Sequence, residues 1–125
     1  NMTNQKDLNV LGEPLVVCGC DPMTGFYRDG NCRTGQSDAG RHTVCAIMDK
    51  TFLDYTRSQG NDLSTPVPQF GFPGLKPGDH WCLCASRWYE AYKAGVAPRV
   101  KLESTELSAT SVIPMDILEI HGVCH

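Results

Sequence analysis

The chain has 125 residues, and its 11 basic and 14 acidic side chains give a formal net charge of −3. This length suits one domain with one core, and the slightly acidic balance excludes a strong polyanion-binding field, so we expect no nucleic-acid partner. No apolar stretch approaches the ~20 residues of a membrane-spanning helix, so we expect no membrane partner. The polar amino end lacks the apolar segment of a signal peptide, which predicts a cytoplasmic location.

The sequence pattern alternates strands and helices without a regular repeat. In the first half it predicts, in order, a strand at 15–20, a hairpin at 26–33, a polar loop at 34–40, a strand at 42–48 and a helix capped by Asp49 that runs to about residue 59. In the second half it predicts a strand at 80–85, a helix at 86–94, strands at 99–103 and 111–113, and a helix at 114–121.

This order of elements predicts an α+β fold. We expect a mixed, mainly antiparallel sheet of about four to six short strands, with two to three helices. One domain is predicted over residues 9–121, with weakly ordered termini at 1–8 and 122–125.

The most informative stretch runs from residue 69 to residue 85. Pro77-Gly78 suits the two central positions of a type II turn, because proline fixes φ near −65° and glycine accepts a positive φ. In the strand that follows, side chains alternate between two faces. Trp81 and Leu83 are predicted to face the core, whereas His80, Cys82 and Cys84 share the opposite face.

Cysteine is frequent in this chain, at positions 18, 20, 32, 45, 82, 84 and 124. The odd number of cysteines and the missing export signal argue against a disulfide framework of the secreted type. In a reducing compartment we expect buried structural thiols, metal ligands or reactive thiols.

Several long motifs occur together: NVLG at 9–12, DPMTGFYRDG at 21–30, HTVCA at 42–46, GNDLSTP at 60–66 and the whole of 69–85. In these motifs the chain resembles the small bacterial and plant proteins grouped as domain of unknown function 2237, from about residue 9 to residue 121. The resemblance implies no reaction, substrate or cofactor, so it assigns no catalytic residue.

Two kinds of chemistry are open to the cysteines. Zinc binding by Cys18, Cys20, Cys82 and Cys84 is the first, although a Cys-x-Cys pair on a strand separates its Cα atoms by roughly 6.5–7 Å, which is awkward for one ion. No cofactor is predicted outside this zinc alternative. The second is a reactive thiol, with Cys84 and Cys82 ahead of Cys45, because Cys84 precedes a helix whose free N–H groups favour a thiolate.

The leading hypothesis is that the protein binds a small polar ligand in a cleft lined by loops, since loops on a rigid sheet often carry binding groups. The residues predicted to line this cleft are Arg28, Asp62, Asp79, Arg87, Cys82 and Cys84. Whether the protein is an enzyme is open. The competing hypothesis is a structural or protein-interaction module with buried structural cysteines, and self-association is expected from the aromatic side chains of 81–92.

Overall fold

The centre of the fold is a pair of antiparallel strands, β1 (His42–Ile47) and β2 (His80–Cys84). The structure is a computed structural model, which describes residues 7–123. Strand β3 (Arg99–Lys101) pairs antiparallel with β1, and β4 (Gly122–Val123) pairs parallel with β3. The sheet order β2-β1-β3-β4 leaves β2 at one edge. The predicted α+β fold with a mixed, mainly antiparallel sheet is therefore confirmed.

Within residues 7–123, three α-helices accompany the sheet: α1 (Lys50–Ser58), α2 (Ala85–Lys93) and α3 (Met115–His121). The α1 helix begins as predicted, because the Asp49 carboxylate accepts a hydrogen bond from the backbone N–H of Phe52 at 2.7 Å. The α2 helix follows β2 directly, with Cys84 as its N-cap residue. None of the helices between residues 7 and 123 is long and apolar enough to cross a bilayer.

The two faces of β2 are covered by different parts of the chain. As predicted, Trp81 and Leu83 join the main core, where they pack with apolar residues of α1 and α2 such as Phe52 and Trp88. Cys82 belongs instead to a second buried cluster that contains only cysteines. Both faces of the strand are thus largely covered, which explains why three consecutive residues of β2 are at most 6% exposed.

The second cluster consists of two disulfides, Cys18–Cys45 and Cys32–Cys82. Their Cα–Cα distances of 5.7 and 5.3 Å lie in the ordinary range for such bonds. The expectation of a chain without a disulfide framework was wrong. The reason is topological: Cys45 and Cys82 face each other across the β1–β2 pair, and each reaches a partner in the segment 18–32. Sequence spacing carries no sign of such contacts.

The segment between Cys18 and Cys32 is an irregular loop that covers the cysteine side of the sheet. The strand predicted at 15–20 and the hairpin at 26–33 do not form, and only an isolated bridge joins Cys20 to Met23. Thr24 is buried in this loop, and its hydroxyl accepts a hydrogen bond from the backbone N–H of Cys82 at 2.8 Å. The two disulfides and this hydrogen bond therefore hold the loop against β1 and β2.

The carboxyl-terminal part differs from expectation in two places. The strand predicted at 111–113 does not form, because a 3-10 helix, Leu107–Ser111, ends at its first residue and a turn and a bend follow. Residues 122 and 123 form β4, although they were placed in a weakly ordered terminus; residues 1–6 and 124–125 lie outside the described part of the chain. Trp88 is fully buried and stacks on Tyr92, so this part of the expected aromatic surface is used inside the fold.

Candidate functional site

Two adjoining cavities lie along the outer edge of β2. The first, of about 310 Å³, is lined by Arg28, His42, Asp62, Leu63, Val67, Phe70, Phe72, Trp81 and Cys82. The second, of about 220 Å³, is lined by His42, Asn61, Leu63, Trp81, Cys82, Leu83, Cys84 and Arg87. We call the two together the edge cleft, because they share four lining residues and draw on both faces of the edge strand.

Two side-chain contacts position Arg28 at the first cavity. Its backbone adopts a positive φ of 55°, which is uncommon for a residue other than glycine and is often found at functional sites. One guanidinium N–H group donates to the backbone carbonyl of Gly25 at 2.6 Å, and the guanidinium lies 5.2 Å from the centre of the Trp81 ring. Within residues 7–123 it makes no other hydrogen bond, so further donors remain for a ligand.

Arg87 lies at the second cavity, on the first turn of α2. It donates to the carbonyl of Gln59 at 3.2 Å and lies 3.4 Å from the carboxylate of Glu90. One of its terminal nitrogens makes both contacts, which leaves other donors of the planar guanidinium for recognition of an anion. The edge cleft therefore has a guanidinium at each of its two cavities.

The two predicted aspartates, unlike the arginines, use their side chains to close local turns. Asp62 lines the first cavity, but its oxygens accept hydrogen bonds from Thr65 and Ser64 and so close a local turn. The side-chain hydrogen bond from Thr65 is the main reason that the pKa of Asp62 is lowered. Asp79 is not among the residues that line either cavity, and its carboxylate accepts from the backbone N–H of Lys76 at 2.9 Å. This bond closes the predicted Pro77-Gly78 turn.

The predicted cysteines separate into two environments. Cys82 lines both cavities but is disulfide-bonded to Cys32, so it offers no free thiol. Cys84 is a free cysteine of intermediate exposure at the second cavity, and its sulfur lies 3.2 Å from the hydroxyl of Ser86. Cys20 is free and exposed, and it lines neither cavity.

The proposed zinc set of Cys18, Cys20, Cys82 and Cys84 is not brought together. Among the described residues, the three cysteines whose sulfurs lie within 4.8 Å of one another are Cys18, Cys32 and Cys82. All three belong to the disulfides, and zinc requires thiolates, so metal binding here would require prior reduction.

A histidine–aspartate pair is the feature of the cleft that the sequence did not reveal. His42 lines both cavities, and its Nδ1 atom lies 2.6 Å from the Asp38 carboxylate, whose other oxygen accepts from the His42 backbone N–H and from Thr34. Asp38 is buried. Arg41 adopts a positive φ of 52°, which turns the chain so that both contacts are made. The Asp-x-x-x-His spacing at 38–42 is the one sequence signal, and it is weak.

The surroundings of Asp38 keep it ionised at neutral pH. Burial by itself would raise the pKa of Asp38, but hydrogen bonds from the backbone and ring of His42, the charge of His42 and the hydroxyl of Thr34 together lower this pKa. The carboxylate therefore stabilises the imidazole in the tautomer that carries its proton on Nδ1.

We expect the stability contributed by Asp38 to depend on pH. Because its pKa is lower in the folded chain than in the unfolded chain, where it is about 3.9, this stabilisation is present above that pH and is lost as the pH falls through the folded value. Asp38→Asn should lower the free energy of unfolding at pH 7 by about 2 kcal/mol. Urea unfolding at pH 7 and pH 3 measures the difference in free energy of unfolding between the unchanged protein and Asp38→Asn. This difference should be smaller at pH 3, and an equal difference at both pH values would contradict the proposed role of the Asp38 charge.

Comparison with known proteins adds a family and no activity. The family described as "Uncharacterized protein conserved in bacteria (DUF2237)" matches residues 8–122. A comparison with curated proteins gives no match.

Proposed function

Since the chain belongs to this DUF2237 family of uncharacterized bacterial proteins, we propose its function from the edge cleft alone: it binds a small polar ligand that carries an anionic group. The observation that carries the proposal is the pair of guanidinium groups, Arg28 and Arg87, at the two cavities of one cleft. Arginine recognises carboxylates and phosphates through paired hydrogen bonds. Both side chains are steadied by contacts that leave donors free.

The walls of the cleft support a ligand with an apolar part. Leu63, Val67, Phe72 and Trp81 line the first cavity beside Arg28, and Phe70 stands 80% exposed at its rim. Ligand sites are commonly concave, mostly apolar and equipped with a few polar groups that fix orientation. A volume of about 310 Å³ suits one small molecule of ring size with a charged substituent.

An anionic aromatic probe tests the proposal. We expect 8-anilinonaphthalene-1-sulfonate to bind the folded protein with a rise in fluorescence, since it combines an anion with apolar rings. Arg28→Ala should weaken this binding about tenfold, because a hydrogen bond to a charged group contributes about 1.5–3 kcal/mol. Fluorescence titration of the two proteins at equal concentration measures the change.

The matched control is Arg99→Ala, which removes one exposed arginine of β3 that lines neither cavity. This variant has the same net charge as Arg28→Ala and should bind the probe as the unchanged protein does. Equal weakening by both substitutions would mean that the probe senses overall charge only, and the proposed site would fail.

An interaction module is the second candidate, and the exposed ring of Phe70 favours it. An aromatic side chain that is 80% exposed is the kind of group that docks on another chain. Four cysteines are buried in disulfides, which supports the part of this reading that concerns structural cysteines. Phe70 lies at the rim of the cleft, however, so its exposure is equally explained by contact with a ligand.

The disulfides bear on the proposed location. Disulfides persist in oxidising compartments and are rare in the cytosol, where thiols reduce them. Here each bonded cysteine is 2% exposed or less, so an attacking thiolate reaches no sulfur without local opening of the fold. This protection makes the oxidised form compatible with the cytoplasm, which remains our proposed location.

A further inference from the structure

Cys84 combines three features of a nucleophilic cysteine. It is a free thiol, it is partly accessible, and it lines the second cavity of the edge cleft. It is also the N-cap residue of α2, a helix of nine residues, and its side chain makes no capping hydrogen bond. The N–H groups at a helix amino end stabilise negative charge, so they would stabilise the charge that develops as a group near this end reacts.

A base lies across the sheet from this thiol. Cys84 is the Cα partner of His42 in the antiparallel β1–β2 pair, and both side chains line the second cavity. The pairing is irregular here, with a register shift between His42 and Val44, and within residues 7–123 the Cys84 sulfur makes its hydrogen bond to the Ser86 hydroxyl rather than to His42. Such a bond between nucleophile and base is often long in a ligand-free site and tightens when the substrate binds. His80, the other histidine of this region, is engaged elsewhere, because its Nδ1 atom lies 2.9 Å from the carbonyl of Cys18.

Asp38 fixes the role of His42. In the neutral imidazole, the contact of Nδ1 with the buried carboxylate places the ring proton on Nδ1, so Nε2 is the atom able to accept a proton. A nucleophile, a base and a carboxylate that orients the base are the arrangement found in enzymes with activated nucleophiles.

We propose that Cys84 is a catalytic nucleophile, that His42 is its general base, and that Asp38 is the residue that positions His42. The substrate class is a small ester or thioester with an anionic group, which Arg87 binds beside Cys84. This inference rests on the proposed function, since it requires the same cleft to hold the ligand.

The reaction that this arrangement supports is acyl transfer to water. The Cys84 proton passes to His42 Nε2 while the sulfur bonds to the carbonyl carbon and the carbonyl electron pair moves to oxygen. The alcohol or thiol then leaves with the proton from His42, and the acyl group remains on Cys84 as a thioester. Water gives a proton to His42 and bonds to the acyl carbon, after which the carbon–sulfur bond breaks and sulfur regains the proton.

Site-resolved alkylation tests the nucleophile. Iodoacetamide at pH 7 is followed by peptide mass spectrometry, with Cys20 as the internal control because it is free and more exposed. We expect Cys84 to react about tenfold faster than Cys20 or more, despite its lower exposure. A rate for Cys84 equal to or below that of Cys20 overturns the proposal. The peptide of Cys124, which lies outside the described residues, is quantified separately.

Two substitutions test the base and its orientation. In His42→Asn the amide nitrogen keeps the place of Nδ1 beside Asp38, so the contact with the carboxylate is kept while the base is lost. Cys84 labelling should then slow about tenfold while Cys20 labelling stays constant. In Asp38→Asn, the remaining oxygen accepts from the His42 backbone N–H and Thr34, which turns the amide nitrogen toward Nδ1.

In Asp38→Asn, this rotation of the side-chain amide should reverse the imidazole tautomer of His42. Nitrogen NMR of His42 should show a proton on Nδ1 in the unchanged protein and on Nε2 in Asp38→Asn, with slower Cys84 labelling in the variant. A merely structural role for Asp38 would leave the tautomer unchanged and would contradict its positioning role. Unchanged labelling in His42→Asn would remove the base from the proposal.

A separate readout distinguishes failure of this proposal from failure of the binding site. Hydrolysis of mono-4-nitrophenyl terephthalate, an activated ester whose rigid para-carboxylate cannot attack its own carbonyl, should release nitrophenol in the unchanged protein and at least tenfold more slowly in Cys84→Ser. If the sulfonate probe binds normally but the ester is cleaved equally by both proteins, the nucleophile fails and the binding function stands. If the probe does not bind, the cleft itself is wrong.

Discussion

Breaking the Cys32–Cys82 disulfide is expected to lower the melting temperature of the protein by roughly 10–15 °C. This bond closes a loop with a sequence separation of 50, and the entropy of such a loop in the unfolded chain corresponds to about 4 kcal/mol. The bond also ties the loop that carries Thr24 and Arg28 to β2, so its loss should weaken the edge cleft together with the fold. Thermal unfolding of Cys32→Ser/Cys82→Ser, followed by circular dichroism, measures the change.

Cys20→Ser is the control for this experiment. It removes a cysteine that is exposed and outside both disulfides, so its melting temperature should lie within a degree or two of the unchanged protein. Chemical reduction of the unchanged protein should destabilise it at least as strongly as the double substitution, because both bonds are then lost. Equal melting temperatures for the oxidised and reduced protein would show that the four sulfurs are not bonded in the folded chain.

Gly25→Ala is expected to disrupt the same loop from within. Gly25 has a φ of 99°, and a Cβ atom there would collide with the backbone carbonyl oxygen of Asn31. Because the obstacle is backbone, the loop must shift, and Arg28, whose guanidinium donates to the Gly25 carbonyl, must shift with it. We expect a free energy of unfolding lower by about 3 kcal/mol or more, and weaker binding of the sulfonate probe.

Gly12→Ala is the control that separates the effect of the Gly25 collision from the cost of a positive φ alone. Gly12 also has a positive φ, of 80°, but a Cβ atom at this position meets nothing within 4 Å. Its substitution should therefore cost only about 1–2 kcal/mol, and the probe should bind as before. If the two alanine variants unfold at the same urea concentration, the close approach of Gly25 to Asn31 is incorrect. Urea unfolding, read by tryptophan fluorescence, makes the comparison.

Local patterns in the sequence were sufficient for the central elements. The apolar run at 42–48, the Asp49 cap and the turn at Pro77-Gly78 each act within a few residues, so β1, α1 and the start of β2 follow from them. The alternation of Trp81 and Leu83 with Cys82 likewise predicted which side chains face the main core. These are signals of short range, and the structure follows them.

Long-range contacts explain what the sequence did not show. The segment 15–33 has the β-propensity of strands, but disulfides and the hydrogen bond from Cys82 to Thr24 hold it as an irregular loop. In the sequence His42 has the pattern of an ordinary strand residue, and only the fold shows that Asp38 lies beside its ring. Arg28 and Arg87 lie 59 positions apart, and only the folded loop and helix bring them to one cleft. Asp79 closes the Pro77-Gly78 turn through its hydrogen bond from Lys76, a role that its place beside that turn is consistent with.

The central claim is that the edge cleft beside β2 is the binding site. Amide and indole NMR signals followed during addition of 8-anilinonaphthalene-1-sulfonate test this claim residue by residue. We predict the largest shifts at the Trp81 indole and at the backbone amides of His42, Leu63 and Cys84, all of which line the cleft. Largest shifts at β3, β4 and α3, with the cleft signals unmoved, would contradict it.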